Sequence, residues 1–362
     1  MDTKEYYILL SSVEGLGARW IMLLDRTFGG PERAWNASEA ELKSVPRIPR
    51  KVIDGLLTKR ERIDPEKELN SLREKGIETV FIDDPVYPQH LRHIYDPPKI
   101  LYVRGNIDVL QLQMFAVVGA RKASPYGLSV AQSVSRDLAE AGLCVVSGMA
   151  RGIDTAAHRG ALGVDKPTVA VLGCGVDVVY PRENKKVMEE IIDKGAVISE
   201  FPPGTAPMAG NFPVRNRIIS GLSRGILVVE AADKSGSLIT ADLALEQGRD
   251  VFAVPGQVTN SVNRGAHRLI KQGAKLVEDA GDILEDFGYS FFAKPATGEK
   301  QADLTGDEKK IYNIISDDPV SSETIIVKTG FNTSQVLAIL LELELRGLVS
   351  QLPGQRYIRS VR

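Results

Sequence analysis

The sequence predicts an α/β protein built on a doubly wound, mostly parallel sheet, with a helical segment before it and a winged helix after it. Three observations carry this. Short apolar runs alternate with helix-period stretches from residue 76 to 288. Residues 1–75 hold helical periodicity alone, and residues 305–362 read as three helices followed by a two-strand wing.

Residues 1–75 contain two similar units. In SVEGLGARWIMLL, Gly15 and Gly17 form a turn feeding an apolar helix; in LKSVPRIPRKVIDGLL, Pro46 and Pro49 stand where the first unit has its glycines. Helix, tight turn, helix, twice, is the pattern of helix-hairpin-helix modules, whose turn amides can meet a phosphate. A turn such as PRIP also serves as a plain structural corner, and we favour that reading.

In the middle segment, FAVVG (115–119), CVVSG (144–148), TVAVLG (168–173), AVISE (196–200), GILVVEA (225–231), DVFAVPG (250–256) and AKLVE (274–278) are the expected strands. They are apolar on both faces, as parallel strands covered by helices on each side must be. Helical spacing separates them, as in Val130, Val134, Leu138 and Ala141. TVFID (79–83) and KILYVRG (99–105) add strands at one edge, and the strand order is not readable. Residues 289–304 mix Pro, Gly, Ala and both charges without period, which predicts a linker. In the last segment DEKKIYNIIS, SSETIIVKTG and NTSQVLAILLELELRG give the three helices, the third with Thr333 or Ser334 near its cap. GLVSQLPGQRYIR gives the wing around Pro353 and Gly354.

Bulk properties narrow the function. With a net charge of −2, a nucleic-acid site has to be a local patch and not a blanket of positive charge. Cys144 and Cys174 lie in apolar runs, which predicts buried thiols and a reducing, cytoplasmic setting. MDTKEYYILL lacks the charge and apolar stretch of a signal peptide, and no apolar run is long enough to span a membrane. No P-loop and no G-x-G-x-x-G occurs, no Cys and His set has zinc spacing, and the four histidines offer no nucleophile–base pair. Neither a cofactor nor a metal is therefore expected.

In an open α/β sheet, ligands bind beyond the carboxyl ends of the strands. Those ends carry Gly119 and Arg121, then Ser147, Gly148 and Arg151, then Gly173 and Gly175, and finally Lys234, Ser235, Gly236 and Ser237. FPVRNRIISGLS (212–223) adds Phe212, Arg215, Asn216 and Arg217, and Ser124 follows the first of these turns. From Phe201 to Val229 the chain carries Arg215, Arg217 and Arg224 and neither Asp nor Glu. Glycines let amides approach an anion, and guanidinium forks match phosphate oxygens. Each residue alone has a plainer explanation as turn or surface, but so many on one sheet edge predict a phosphate site. An exposed Phe212 beside Arg215 would stack a base; Tyr180 and Pro181 read as a turn anchor.

VGARKASPYG, SGMARGIDTAAH, LGCGVDVVYPREN, SEFPPGTAPMAGNFPVRNRIISGLS and VVEAADKSGSLITADLALEQGRDVFAVPG, in this order between about residues 78 and 280, resemble the successive signatures of the DNA-processing protein A (DprA/Smf) family. The flanking segments resemble that family's helical, helix-hairpin-helix or SAM-like, domain and its winged helix. The resemblance implies an extended Rossmann-like domain that binds single-stranded DNA with little sequence preference. It also implies protection of incoming DNA in natural transformation, loading of the RecA recombinase, work with single-strand-binding protein, and a homodimer. By motif, Arg121 would line the phosphate pocket, Ser147 and Gly148 would edge it, and Lys234 to Ser237 would add amides and hydroxyls. Phe212 would meet a base, with Arg215 and Arg217 holding the strand or the local loop. Ala209 departs from the pattern: a relative has lysine three places before the motif Phe, so one phosphate contact is missing or is supplied by Lys234 or Arg217.

Two rival readings stand beside this one. Rossmann-like enzymes that cleave nucleoside monophosphates (phosphoribohydrolases) use a Gly- and hydroxyl-rich loop before a helix and a following acid, and Asp242 and Glu246 follow Ser237 at helical spacing. A regulator would instead bind duplex DNA through the winged helix. The third helix there carries Glu342 and Glu344, poor chemistry for reading a groove.

Overall fold

A computed structural model of the chain describes residues 1–288, 304–316 and 319–359. The expected linker, 289–304, lies outside the described residues apart from Leu304.

Six helices open the chain: α1 (Thr3–Ser11), α2 (Ala18–Phe28), α3 (Pro31–Asn36), α4 (Glu39–Ser44), α5 (Arg50–Arg62) and α6 (Pro65–Glu74). Capping boxes start two of them, Asp2 with Glu5 and Ser38 with Glu41, satisfying amides that a helix end leaves free. The two anticipated helix–turn–helix units are present as α1–α2 and α4–α5. Leu9, Leu10, Leu24, Leu42 and Leu56 form their common core. Ile8 and Leu72 leave that core to pack with Phe81, Ile100 and Tyr102 of the sheet, and Ser11 Oγ meets Tyr102 Oη at 2.5 Å.

The sheet has nine strands: β1 (Glu78–Phe81), β2 (Ile100–Gly105), β3 (Met114–Val118), β4 (Cys144–Ser147), β5 (Thr168–Val171), β6 (Ala196–Ser199), β7 (Gly225–Val228), β8 (Asp250–Ala253) and β9 (Lys275–Leu276). Their order is β1-β2-β6-β5-β4-β3-β7-β8-β9. Strands β3 to β9 run parallel, while β2 opposes β6 and β1 opposes β2 at one edge. From β3 the chain winds outward through β4, β5 and β6, then returns to pair β7 with β3 and winds the other way. The reversal leaves a crevice between the carboxyl ends of β3 and β7, the switch point where such sheets take ligands.

Helices cover both faces, as the unbroken apolar strands require. Ala116 and Val118 of β3 face a layer shared with Leu91 of α7 (Gln89–Arg92), and Phe115 and Val117 face the opposite one. That opposite layer is closed by α8 (Pro125–Glu140), α9 (Ile153–Leu162) and a helix further along the chain, while α10 (Lys185–Lys194) covers the antiparallel edge. The first layer is completed by α11 (Asn211–Leu222), α12 (Gly236–Glu246) and α13 (Arg264–Lys271); α14 (Ala280–Asp286) is the further helix of the second.

The winged helix comprises α15 (Gly306–Ile314), α16 (Ser322–Thr329) and α17 (Thr333–Leu345), with β10 (Val320–Ser321), β11 (Val349–Leu352) and β12 (Arg356–Arg359). The cap of α17 is Asn332, with Thr333 and Ser334 following it in the first turn: its side chain accepts from Gln335 N, and its backbone is extended. Leu337, Leu341 and Leu345 are exposed along α17, which has no Lys or Arg. Among the described residues, no single helix is long and apolar enough to cross a membrane.

Candidate nucleic-acid interface

A groove of about 790 Å³ occupies the switch point. Gly119, Arg121 and Lys122 reach it from the turn after β3, and Lys234, Ser235, Gly236 and Ser237 from the start of α12. Phe212, Arg215 and Asn216 come from the first turns of α11, and Tyr180 from the loop after β5. Ser235 caps α12, accepting from Ser237 N at 3.4 Å, and this helix start lines the groove. An adjoining recess is lined by Gly148, Arg151 and Gly173 and shares Arg121, Phe212 and Arg215 with the groove.

An aromatic ledge crosses the mouth. The rings of Tyr180 and Phe212 lie 5.5 Å apart and 31° from parallel, and the Arg121 guanidinium sits 5.4 Å from the Phe212 centroid. Gly173 makes room for this: a Cβ there would come within 2.9 Å of the Phe212 ring. Tyr180 is 41% exposed and escaped the sequence reading, which took it for a turn anchor. Its signal was an aromatic in a loop at a strand's carboxyl end.

The arginines of the acid-free stretch divide sharply. Arg215 is buried; its Nη1 donates to Gly148 O at 2.7 Å and to Val171 O. It faces buried Asp154, whose Oδ2 accepts from Gly148 N at 3.1 Å and Ala150 N at 3.2 Å. Burial raises the Asp154 carboxyl and Arg215 opposes that rise; burial also pushes Arg215 down to about 10. A Cβ on Gly148 would stand 2.7 Å from the guanidinium. Arg215 is thus a strut whose edge shows in the groove.

Arg217 lies elsewhere. Two residues along a helix is more than half a turn, so its side chain leaves on another face. There Nη2 donates to Glu200 Oε2 at 2.6 Å, and Nε lies 3.7 Å from Asp96 Oδ2. Arg224 donates to Gln113 Oε1 at 2.9 Å and covers the Phe287 ring. The expectation that these guanidinium groups await an outside anion is therefore corrected: each has a partner within the fold, Glu200 for Arg217 standing just before the acid-free stretch.

Other expected residues have internal partners too. Ser124 caps α8, and its amide and hydroxyl donate at 2.9 and 2.5 Å to the buried Glu230 carboxylate. The anion seat at the start of α8 is occupied by the protein's own side chain. Ser147 is buried and donates to Val117 O at 2.7 Å, Gly175 packs against Asp177 outside the groove, and Arg151 pairs with Glu183. Asn216 remains on the wall, bridging Arg215 Nε at 3.2 Å and Gly236 O at 3.4 Å. Arg121, Lys122 and Lys234 are exposed cations of the groove with no carboxylate partner among the described residues.

Acids are scarce where catalysis would need them. Asp242 and Glu246 are exposed on α12 and do not line the groove; Asp154, buried and bonded to the Gly148 and Ala150 amides, is the acid that does. His158 is fully buried. Thr168 gives its hydroxyl proton to Val145 O, so the His158 ring donates to Thr168 Oγ1, at 2.8 Å, through Nδ1. Cys144 and Cys174 are free, buried thiols, raised by burial to about 12 and about 11.

An open α/β sheet with a cationic, aromatic-edged groove at its switch point has the chemistry that suits anionic ligands. Residues 78–288 match the family model described as DNA recombination-mediator protein A, and residues 294–355 match that of the DprA winged helix domain. The chain belongs to the DNA recombination-mediator protein A family. It is 34% identical to Protein Smf of Synechocystis over 98% of both chains. It is 47% identical to the DNA processing protein DprA of Streptococcus pneumoniae over 57% of this chain and 73% of that one. The X-ray structure of the Streptococcus pneumoniae protein superposes with a TM-score of 0.68 at 37% identity, covering 79% of this chain and 98% of that one. DNA processing protein A from Helicobacter pylori, whose structure was described for its single-stranded DNA binding mode, gives a TM-score of 0.53 at 30% identity. The match spans 58% of this chain and 95% of that one.

Proposed function

We propose that this protein binds single-stranded DNA in the switch-point groove without reading its sequence. The observation that carries the reading is the ledge itself: Arg121 over Phe212, and Phe212 beside Tyr180, at the mouth of a groove whose exposed cations lack carboxylates. Phosphates meet Arg121, Lys122, Lys234 and the first amides of α12, while a base stacks on the ledge. Each stacked base contributes roughly 1–3 kcal/mol and is tolerated whatever its identity, because every base has a π-face. Ala209 offers no charge at its place in the wall, and Lys122 and Lys234 supply it.

The chain acts as a non-enzymatic recombination mediator in the cytoplasm. It shields incoming single strands during transformation and passes them to a RecA recombinase in the presence of single-strand-binding protein, working as a homodimer. Kinship with the DNA processing protein DprA of Streptococcus pneumoniae and with the single-strand-binding Helicobacter pylori protein supports this role. The test is fluorescence titration of labelled oligo-dT. Log K should fall with log salt by about 0.7 per neutralised phosphate, and Arg121→Ala should bind weakly. Wild-type binding by Arg121→Ala would refute the site. Release of free base from nucleoside monophosphates, lost in Glu246→Gln, would replace the mediator with an enzyme.

A further inference from the structure

The N-terminal helices and the loop before β2 enclose a second groove, of about 840 Å³. Arg19, Trp20 and Arg26 line it from α2, Arg47 from the PRIP turn, and Tyr95 from the sheet domain. The Arg19 guanidinium lies 5.9 Å from the Trp20 ring centroid. Arg47 holds a left-handed backbone, φ 61°, which directs the turn outward at a cost that a bulky residue seldom bears. Tyr95 is wholly exposed, at 102% of its reference area.

None of the three arginines has a carboxylate partner among the described residues. The acid on this wall, Asp96, lies 3.7 Å from Arg217 of α11. Unpaired guanidinium groups interleaved with an exposed phenol ring and a half-buried indole match a ligand with spaced negative charges and flat apolar faces. A single-stranded polynucleotide has both. An acidic peptide would satisfy the arginines and leave Trp20 and Tyr95 nothing to stack on.

Asp96 also fixes where this groove lies. It meets Arg217 on one face of α11, and the first turns of the same helix line the switch-point groove. α11 thus connects the two: its first turns line one groove, and its Arg217 reaches an acid on the wall of the other. We propose that the second groove is a further contact for the same single strand, engaged by oligonucleotides longer than the switch-point groove holds. The inference rests on the reading that the switch-point groove binds single-stranded DNA.

The full-length chain is titrated with oligo-dT of about 6 and about 20 nucleotides, the first within and the second beyond the usual span of one single-strand site. Arg19→Ala combined with Arg47→Asn, asparagine tolerating the left-handed backbone, should lower the salt slope for the long oligomer by about 1.4, two contacts at about 0.7 each. Tyr95→Ala, which removes a fully exposed side chain and leaves the fold intact, should weaken the long oligomer about fivefold or more. Both variants should bind the short oligomer as wild type does. Unchanged affinity and slope for the long oligomer in both variants would overturn the second contact while leaving the first in place. A polyglutamate peptide held by wild type and lost by the Arg19 and Arg47 variant, with oligo-dT indifferent, would also overturn it. Short-oligomer binding that survives Arg121→Ala would instead sink the switch-point reading.

Discussion

Arg121 holds its guanidinium 5.4 Å from the centroid of Phe212. Charge and π-face are thereby offered together, and they can be separated by mutation. Arg121→Ala should weaken oligo-dT of any sequence and reduce the salt slope by about 0.7. Phe212→Ala should cost roughly 1–3 kcal/mol of binding with the slope unchanged. Equal slope losses in the two variants would show that Phe212 acts only by placing Arg121.

Arg215 and Arg217 should report in stability before binding. Arg215→Ala strands the buried carbonyls of Gly148 and Val171 and removes a cation that favours the Asp154 carboxylate, a loss of about 1–3 kcal/mol. Arg215→Lys should not restore it, since a point charge cannot bond Gly148 O, Val171 O and Asn216 Oδ1 together as the fork does. Gly148→Ala, with its Cβ 2.7 Å from the guanidinium, should cost about 1–3 kcal/mol. Urea unfolding measures all three, and unaltered midpoints would remove the strut from the account. Arg217→Ala should lower the midpoint while any folded protein keeps the wild-type salt slope.

His158 predicts a pH dependence. Burial, aided by Arg215, pulls its pKa down to about 3 from the ordinary 6.5. Below pH 6.5 the unfolded chain takes up a proton that the folded chain refuses, so stability falls as pH falls from 6.5 toward 3. The loss approaches about 1.4 kcal/mol per pH unit. His158→Gln should flatten the dependence between pH 7 and 5 in urea titrations. A wild-type profile already flat there would contradict a neutral, buried imidazole.

Glu230 should prove structural. Removing its carboxylate in Glu230→Ala strands the Ser124 amide and hydroxyl at the start of α8, a loss of about 1–3 kcal/mol in unfolding experiments. Oligo-dT affinity should stay at the wild-type value in the folded variant. Lost affinity with retained stability would place Ser124 among the ligand contacts after all.

Period and turn chemistry carried most of the architecture. Strands apolar on both faces are legible because burial on two sides leaves no polar alternation, and the wing shows itself through Pro353 and Gly354 between two short strands. Strand order was not legible, since nothing local in β7 says that it returns to β3. Within the groove, residues next to glycines at strand ends were legible as a group, and Arg121, Phe212 and Lys234 do meet there. Counting local charge misled at Arg215, because Asp154 lies 61 residues before it, and at Arg217, because Glu200 stands just outside the acid-free stretch. Tyr180 was missed for the same reason: its partner ring is 32 residues away, and only the fold sets the two 5.5 Å apart.

The carboxylate of Glu230 has a physiological reach beyond the helix it steadies. Metabolites such as dinucleotides commonly rest their pyrophosphate at the first helix start of sheets wound this way. In this chain that berth is taken from within. A small phosphate at the start of α8 would have to displace this carboxylate or bear its charge at close range.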